Sequence, residues 1–346
     1  MEINIENEIQ GAIYDIARLV SNNEEQAREI VQMLNKTVTI NYVGGAIAGT
    51  SHAAETTPSI EFQIGSNNEV RRVCKGITIT LPRNITNINH FRISCRHEFF
   101  HAIANLFNNS LSELNPETNT VTSNAGGKIE ERDVKNIHAM PKKISPASVL
   151  FNELVTDLSA YCSYYPKANI SINSILNGDG LDEINRRYGM GDGYRQLFPL
   201  GLCIIKAFSN EPCNYDELDS NMYEAQYSTN SGSKEYVNEL FQGVLFNPLG
   251  LKKNFIEYTS QEEWNKLEEV ADRIMKNFKS NLSVKYGDVL ECTKIMAEYL
   301  IEKCERATDP KVKDNLVKII KEYNALFDKA RAYYKKLDKN DIEIEH

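Results

Sequence analysis

Apolar positions near the start of the chain recur with a helical period. Ile9, Ile13, Ile16 and Val20 share a face, so residues 6–34 read as two helices. The period then drops to two. Val38, Ile40 and Tyr42 alternate with polar residues, as do Ile60, Phe62 and Ile64, and then Ile77, Ile79 and Leu81. Three strands are expected there, the third stopped by Pro82 and Asn84. The small-residue stretch GGAIAGTSHAAETTPS between the first two reads as a loop. A helix is predicted from about Asn87 to Asn108. Residues 109–145, rich in Asn, Ser, Thr, Gly and Pro, read as a long inserted loop with little regular structure. Ser145-Pro146 is a helix start: a capping serine, then a proline whose missing N–H costs nothing in the first turn. That helix is expected to run to about Tyr165 and stop at Pro166. Beyond it the pattern is helical over 181–188, 194–208, 234–246, 261–279, 285–306 and 310–337, with 214–233 as a connector.

Composition narrows the function classes. The chain has 346 residues, 41% hydrophobic and 25% charged, as for an ordinary globular protein with a sizeable core. A formal net charge of -9, with no dense Lys/Arg run, disfavours nucleic acid as a partner. No segment approaches the roughly 20 continuous apolar residues of a membrane span. The acidic start MEINIENEIQ lacks the pattern of a signal peptide, and the seven cysteines are odd in number and form no CxxC pair. A cytoplasmic protein, or one exported without a signal peptide, is expected.

The candidate chemistry lies in Cys95-Arg96-His97-Glu98-Phe99-Phe100-His101. Histidines four apart on a helix lie about 40° apart around its axis, so both imidazoles can reach one metal ion. Glu98 points beside that ion, where it can take a proton from a bound water. Phe99, Phe100, Ile103, Leu106 and Phe107 make the helix apolar on most sides, so it is expected to be buried, and its histidines and glutamate then need partners. Cys95 reads as a small buried residue. Zinc in a hydrolytic site takes three protein ligands and a water. The remaining histidines are His52, His90, His138 and His346, and residue 107 is Phe where an extended motif would place a third histidine.

Downstream stands Asn152-Glu153-Leu154-Val155-Thr156-Asp157. Phe151, Leu154, Val155, Leu158 and Cys162 form one helix face, and Glu153 and Asp157 share the opposite one. On an arbitrary helix such a pair is a solvated acidic face. Taken with the His-Glu-x-x-His segment, however, it resembles the gluzincin metallopeptidases, the thermolysin-like group, over about residues 77–162. The resemblance implies that Glu153 is the third zinc ligand, that Asp157 hydrogen-bonds a zinc-bound histidine, and that Asn152 and Thr156 support them. Glu130, Glu131 and His138 remain alternatives for the third ligand.

The implied fold is α+β: a zincin-like core with a small, mostly antiparallel sheet, the metal helix and the Glu153 helix, followed by a mainly helical region. Residues 1–36 would form N-terminal helices, 37–250 the catalytic domain with its insert, and 251–346 a C-terminal helical region. The strand Ile77–Leu81 is the candidate edge that pairs with an extended substrate. Thermolysin-like enzymes use a downstream histidine as oxyanion donor, but the only histidine after Glu153 is His346. Other gluzincins use a tyrosine, sometimes with an arginine. Tyr188, Tyr194 and Arg195 are candidates, with Tyr194, after a glycine-rich turn, the expected one. Gly189–Gly193 and Asn177–Asp182 read as turns rather than phosphate or calcium loops. The expected activity is zinc-dependent hydrolysis of a peptide or protein substrate. The alternatives are a non-catalytic, zinc-stabilised binding protein, and a toxin or effector protease acting on one protein. Oligomeric state is not legible.

Overall fold

The computed structural model describes residues 4–43, 54–65, 70–83, 85, 88–107, 111–164, 194–210, 212, 224, 225, 227, 241–281 and 284–344. The chain is of mixed α+β type, as expected, and divides into two compact units. The first comprises Met1–Ile144, Ser159–Pro166 and Asp219–Asn247, the second Ser145–Leu158, Lys167–Leu218 and Pro248–His346.

In the first unit α1 (Ile5–Val20) and α2 (Glu24–Thr37) begin at Asn4 and Asn23, whose side chains accept from the backbone N–H of Asn7 and Gln26. Strands β1 (Val38–Val43), β2 (Glu55–Ile64) and β3 (Val70–Pro82) follow, then α3 (Ile88–Phe107). β3 pairs with β1 in parallel and with β2 antiparallel. The expected edge is therefore corrected: Ile77–Leu81 is paired on both sides, and β2 pairs only with β3 among the described residues. β2 also starts at Glu55, inside the stretch read as loop. Pro58 disguised it, since proline is tolerated in a strand only where one side needs no N–H, as on an edge.

Residues 109–145 are corrected too. They carry β4 (Leu111–Asn115), β5 (Thr120–Ala125), β6 (Lys128–Asp133), a short 3-10 turn and β7 (Lys143–Ile144), each antiparallel to the next strand in the sheet. The β5–β6 hairpin closes through Gly126 and Gly127, at φ 60° and 83°. A two-residue turn needs positive φ at both positions, which glycine adopts without a steric cost. The whole sheet has seven strands, and Phe62, Val70, Val121 and Ile137 form one buried cluster on it.

The pairing of β3 with β2 contains an irregularity. Opposite β2, Ser59 pairs with Gly76 but Ile60 pairs with Cys74, leaving Lys75 as an extra residue. Such a bulge shifts the alternation by one. Ile77, Ile79 and Leu81 are buried at odd positions, while Val70 and Arg72 are buried at even ones.

Helix α4 (Pro146–Tyr164) is continuous, and the two units share it at Leu158/Ser159. In the second unit its start is capped twice. Ser145 Oγ accepts from Ser148 N at 3.2 Å, and the Glu268 carboxylate accepts from Ala147 N at 3.1 Å, Ser145 Oγ at 2.6 Å and Trp264 Nε1 at 2.7 Å. Helices α5 (Phe198–Phe208), α6 (Pro248–Tyr258), α7 (Gln261–Asn281), α8 (Tyr286–Arg306) and α9 (Pro310–Ile344) complete this unit. Gly201 of α5 lies against Leu154, where a Cβ would sit 3.5 Å from Leu154 Cβ. Phe255 stacks on Tyr299 with ring centres 5.1 Å apart, and Trp264 meets Phe255 edge-on. The expected helices 181–188 and most of 234–246 lie outside the described residues. So do the two turns at 177–182 and 189–193 and the connector 214–233, apart from residues 224, 225 and 227. Among the described residues no helix is long and apolar enough to cross a membrane.

Candidate metal centre

Helix α3 is buried on nearly every side, so each of its polar side chains has to be met. His97 and His101 are half-buried. Their imidazoles cross edge-on, with ring centres 4.6 Å apart and the two Nε2 atoms 2.9 Å apart. The ligand atoms of His97, His101 and Glu153 all lie within 4.8 Å of one another, and among the described residues no other group of three is so placed. These three side chains form a group that could hold a metal ion.

The other candidates for the third position sit elsewhere. Glu130 is held by Arg132, its Oε2 accepting from Nη2 at 2.8 Å and Nε at 3.1 Å. Glu131 lies within the β6–β7 pairing, and His138 is exposed beside Phe62. The helix carrying Glu153 has no solvated acidic face: Asn152, Glu153, Thr156 and Asp157 are all buried.

Glu98, which lies between His97 and His101 in sequence, is buried, and its carboxylate is held from β2. Thr56 Oγ1 lies 2.7 Å from Glu98 Oε2 and 3.1 Å from the Glu98 carbonyl oxygen. On α1, Asp15 pairs with Arg96, and Glu8 takes Arg92 in a two-pronged ion pair at 2.6 and 2.5 Å. Arg92 also donates to Tyr164 Oη at 2.7 Å, and the Arg96 guanidinium lies 4.5 Å from the Tyr164 ring centre. The Arg92 hydrogen bond holds the Glu8 carboxyl below its ordinary value, against a smaller opposing push from burial. Burial pushes the Cys95 thiol up, as for a small buried residue.

At the C-terminal end of α3, Asn105 Nδ2 donates to the His101 carbonyl at 2.9 Å, and Asn105 Oδ1 accepts from Arg72 Nη2 at 2.9 Å. Gly126 closes on the same amide: a Cβ there would lie 2.8 Å from Asn105 Cγ. Asn105 thus ties the His101 turn to β3 and to the β5–β6 hairpin. Arg72 is only 1% exposed, and burial pulls its pKa down.

Sequence reasoning passed over Thr56, Arg72, Asn105 and Gly126. Two of them carried a signal. Gly126-Gly127 between two polar-apolar runs is a strong hairpin mark. Thr56 occupies the inward row of Thr56, Pro58, Ile60 and Phe62, where a hydroxyl needs a partner. Tyr188 lies outside the described residues, as do the side chains of Tyr194 and Arg195. Tyr194 itself opens a short 3-10 turn, Tyr194–Leu197.

Fold and site together define an α+β protein with a His-His-Glu group able to hold a metal ion. No protein-family model matches the chain, and neither does a curated protein or a solved structure. The functional reading therefore rests on the site's own geometry and on the motif.

Proposed function

We propose that the chain is a zinc-dependent peptidase of gluzincin type, with His97, His101 and Glu153 as zinc ligands and Glu98 as general base. The observation that carries this reading is the meeting of the two Nε2 atoms, 2.9 Å apart, with a Glu153 oxygen in the same group. That separation is less than twice a Zn–N distance of about 2.0–2.1 Å, so one ion can reach both nitrogens, with the rings opening slightly to give a tetrahedral angle. Two imidazoles and a carboxylate are a hydrolytic zinc donor set, which leaves a fourth position for water. When bound, zinc would polarise the scissile carbonyl and lower the pKa of that water to about 7.

The chain's own residues divide the remaining work. Glu98 takes a proton from the attacking water and returns it to the leaving amine. Asp157 orients a ligating histidine, with Asn152 and Thr156 in support. The outer edge of β2 accepts an extended substrate backbone by strand addition, in place of the edge assigned to Ile77–Leu81. Tyr194 is the proposed oxyanion donor. A purely structural metal would have no use for a buried carboxylate at Glu98, which favours catalysis over a zinc-stabilised binding protein.

The test combines metal analysis with a mixed-peptide cleavage assay. The parent should hold about one zinc per chain. Glu98→Gln should keep it and lose hydrolysis, and Glu153→Ala should lose zinc. A protein free of zinc after zinc-replete expression, or Glu98→Gln cleaving as fast as the parent, would overturn the assignment.

A further inference from the structure

The contact between β2 and α3 bears on how the base is held. Thr56 is fixed by the strand ladder, opposite Ile79 of β3, and is half-buried. Its hydroxyl carries one proton but has two oxygens in reach, Glu98 Oε2 at 2.7 Å and the Glu98 carbonyl at 3.1 Å. A hydroxyl donates once and accepts twice. The hydroxyl therefore donates to the nearer Oε2, with the carbonyl close enough to share that proton in a three-centre bond.

We infer that Thr56 is a positioning residue that holds the Glu98 carboxylate in the orientation its work as a base requires. While Glu98 is a carboxylate, Thr56 Oγ1 donates to Oε2. The Glu98 carbonyl has a second lone pair beyond the one its helix uses, so it can take part in that bond as well. A base held in a fixed near-attack position is worth far more than a wandering one. The inference rests on the peptidase reading for its purpose and on the Thr56–Glu98 contact for its geometry.

Although Thr56 lies on the strand proposed to receive substrate, its hydroxyl is turned to Glu98, so its role should show in turnover rather than in binding. Thr56→Val keeps the shape and removes the hydroxyl. It should lower kcat by about 10- to 100-fold, with KM and zinc content near the parent's. Thr56→Ser restores the hydroxyl and should recover kcat to within about threefold of the parent. Thr56→Ala replaces the valine variant if that disturbs the strand. A second readout needs neither metal nor substrate. The infrared carboxylate band of Glu98 in the metal-free protein, isolated as parent minus Glu98→Gln, should shift in Thr56→Val and return in Thr56→Ser. Parental kcat in the variants lacking the hydroxyl, a serine variant as slow as the valine one, or an unmoved band would each overturn the inference. A parent without zinc or turnover would sink the peptidase reading, while the infrared comparison would still decide whether Thr56 holds Glu98.

Discussion

Helices α3 and α4 are both buried over most of their length, and both carry proposed ligands, yet they treat their polar side chains differently. On α3 the buried polar groups reach partners on other elements: Arg96 meets Asp15, Glu98 meets Thr56, and Asn105 meets Arg72. On α4 a stripe at Asn152, Thr156 and Ser159, spaced four and three apart, is wholly buried. Among the described residues, the Asn152 amide and the Thr156 and Ser159 hydroxyls have no hydrogen-bond partner. A buried polar group with its partner is roughly neutral or better for stability, and one without costs about 1–3 kcal/mol. So α3 is pinned from several directions at a small net energy, whereas α4 carries polar groups that its own packing does not reward. Two of them are neighbours in sequence of the acidic pair, Asn152 beside Glu153 and Thr156 beside Asp157.

The contrast can be broken by swapping polar for apolar side chains on each helix. The largest effect is expected for Asn105→Leu. It strips the Arg72 guanidinium of its hydrogen bond to Asn105 and leaves that buried cation worse satisfied, so denaturant unfolding should show a loss of about 3 kcal/mol. A loss below about 1 kcal/mol would mean that the Asn105 link pins nothing. Thr156→Val and Ser159→Ala should act in the opposite direction. Each removes a buried hydroxyl with no hydrogen bond at nearly constant shape, so each should raise stability by about 1 kcal/mol. If both destabilise as Asn105→Leu does, the two helices do not differ.

The smallest effect sharpens the α3 side through pH. Arg92 holds Glu8 below its ordinary value of 4.5. A depressed carboxyl contributes stability that is whole above its unfolded pKa and is lost as pH falls through the lower folded one. Both partners are partly exposed, at 30% and 25%, so solvent screening keeps the pair under about 1 kcal/mol. The melting temperature of the parent should exceed that of Glu8→Gln by a constant margin above about pH 5, and the margin should shrink below it. A margin unchanged down to about pH 3 would detach Glu8 from the stability of the α1–α3 pairing.

Local patterns carried much of the fold. The two N-terminal helices, β1, the metal helix and the serine-capped start of α4 follow from periodicity and capping, which act within a few residues. The same holds for His97 and His101, because a four-residue spacing on a helix fixes their meeting whatever surrounds them. Glu153 depended on the resemblance, since an acidic pair on a helix is ordinarily solvated; that this one is buried is a property of what packs around α4. β2 was half legible, with Pro58 hiding its first residues, and the strands of 111–144 were obscured by polar composition despite the Gly126-Gly127 turn.

The sequence by itself determined the helical His-Glu-x-x-His segment and the α+β class, because both arise from periods written along the chain. Only the tertiary structure decided which strand is the edge, since that depends on β1 returning to pair with the far side of β3. Only it decided that Thr56 would meet Glu98, 42 positions away. Arg72 shows the reason most clearly. Counting alternate residues back from Ile77 places Arg72 in the exposed row, but the extra residue at Lys75 shifts the pleat, and the guanidinium turns into the core to meet Asn105. A bulge exists only in relation to the partner strand, and no pattern within β3 alone records it.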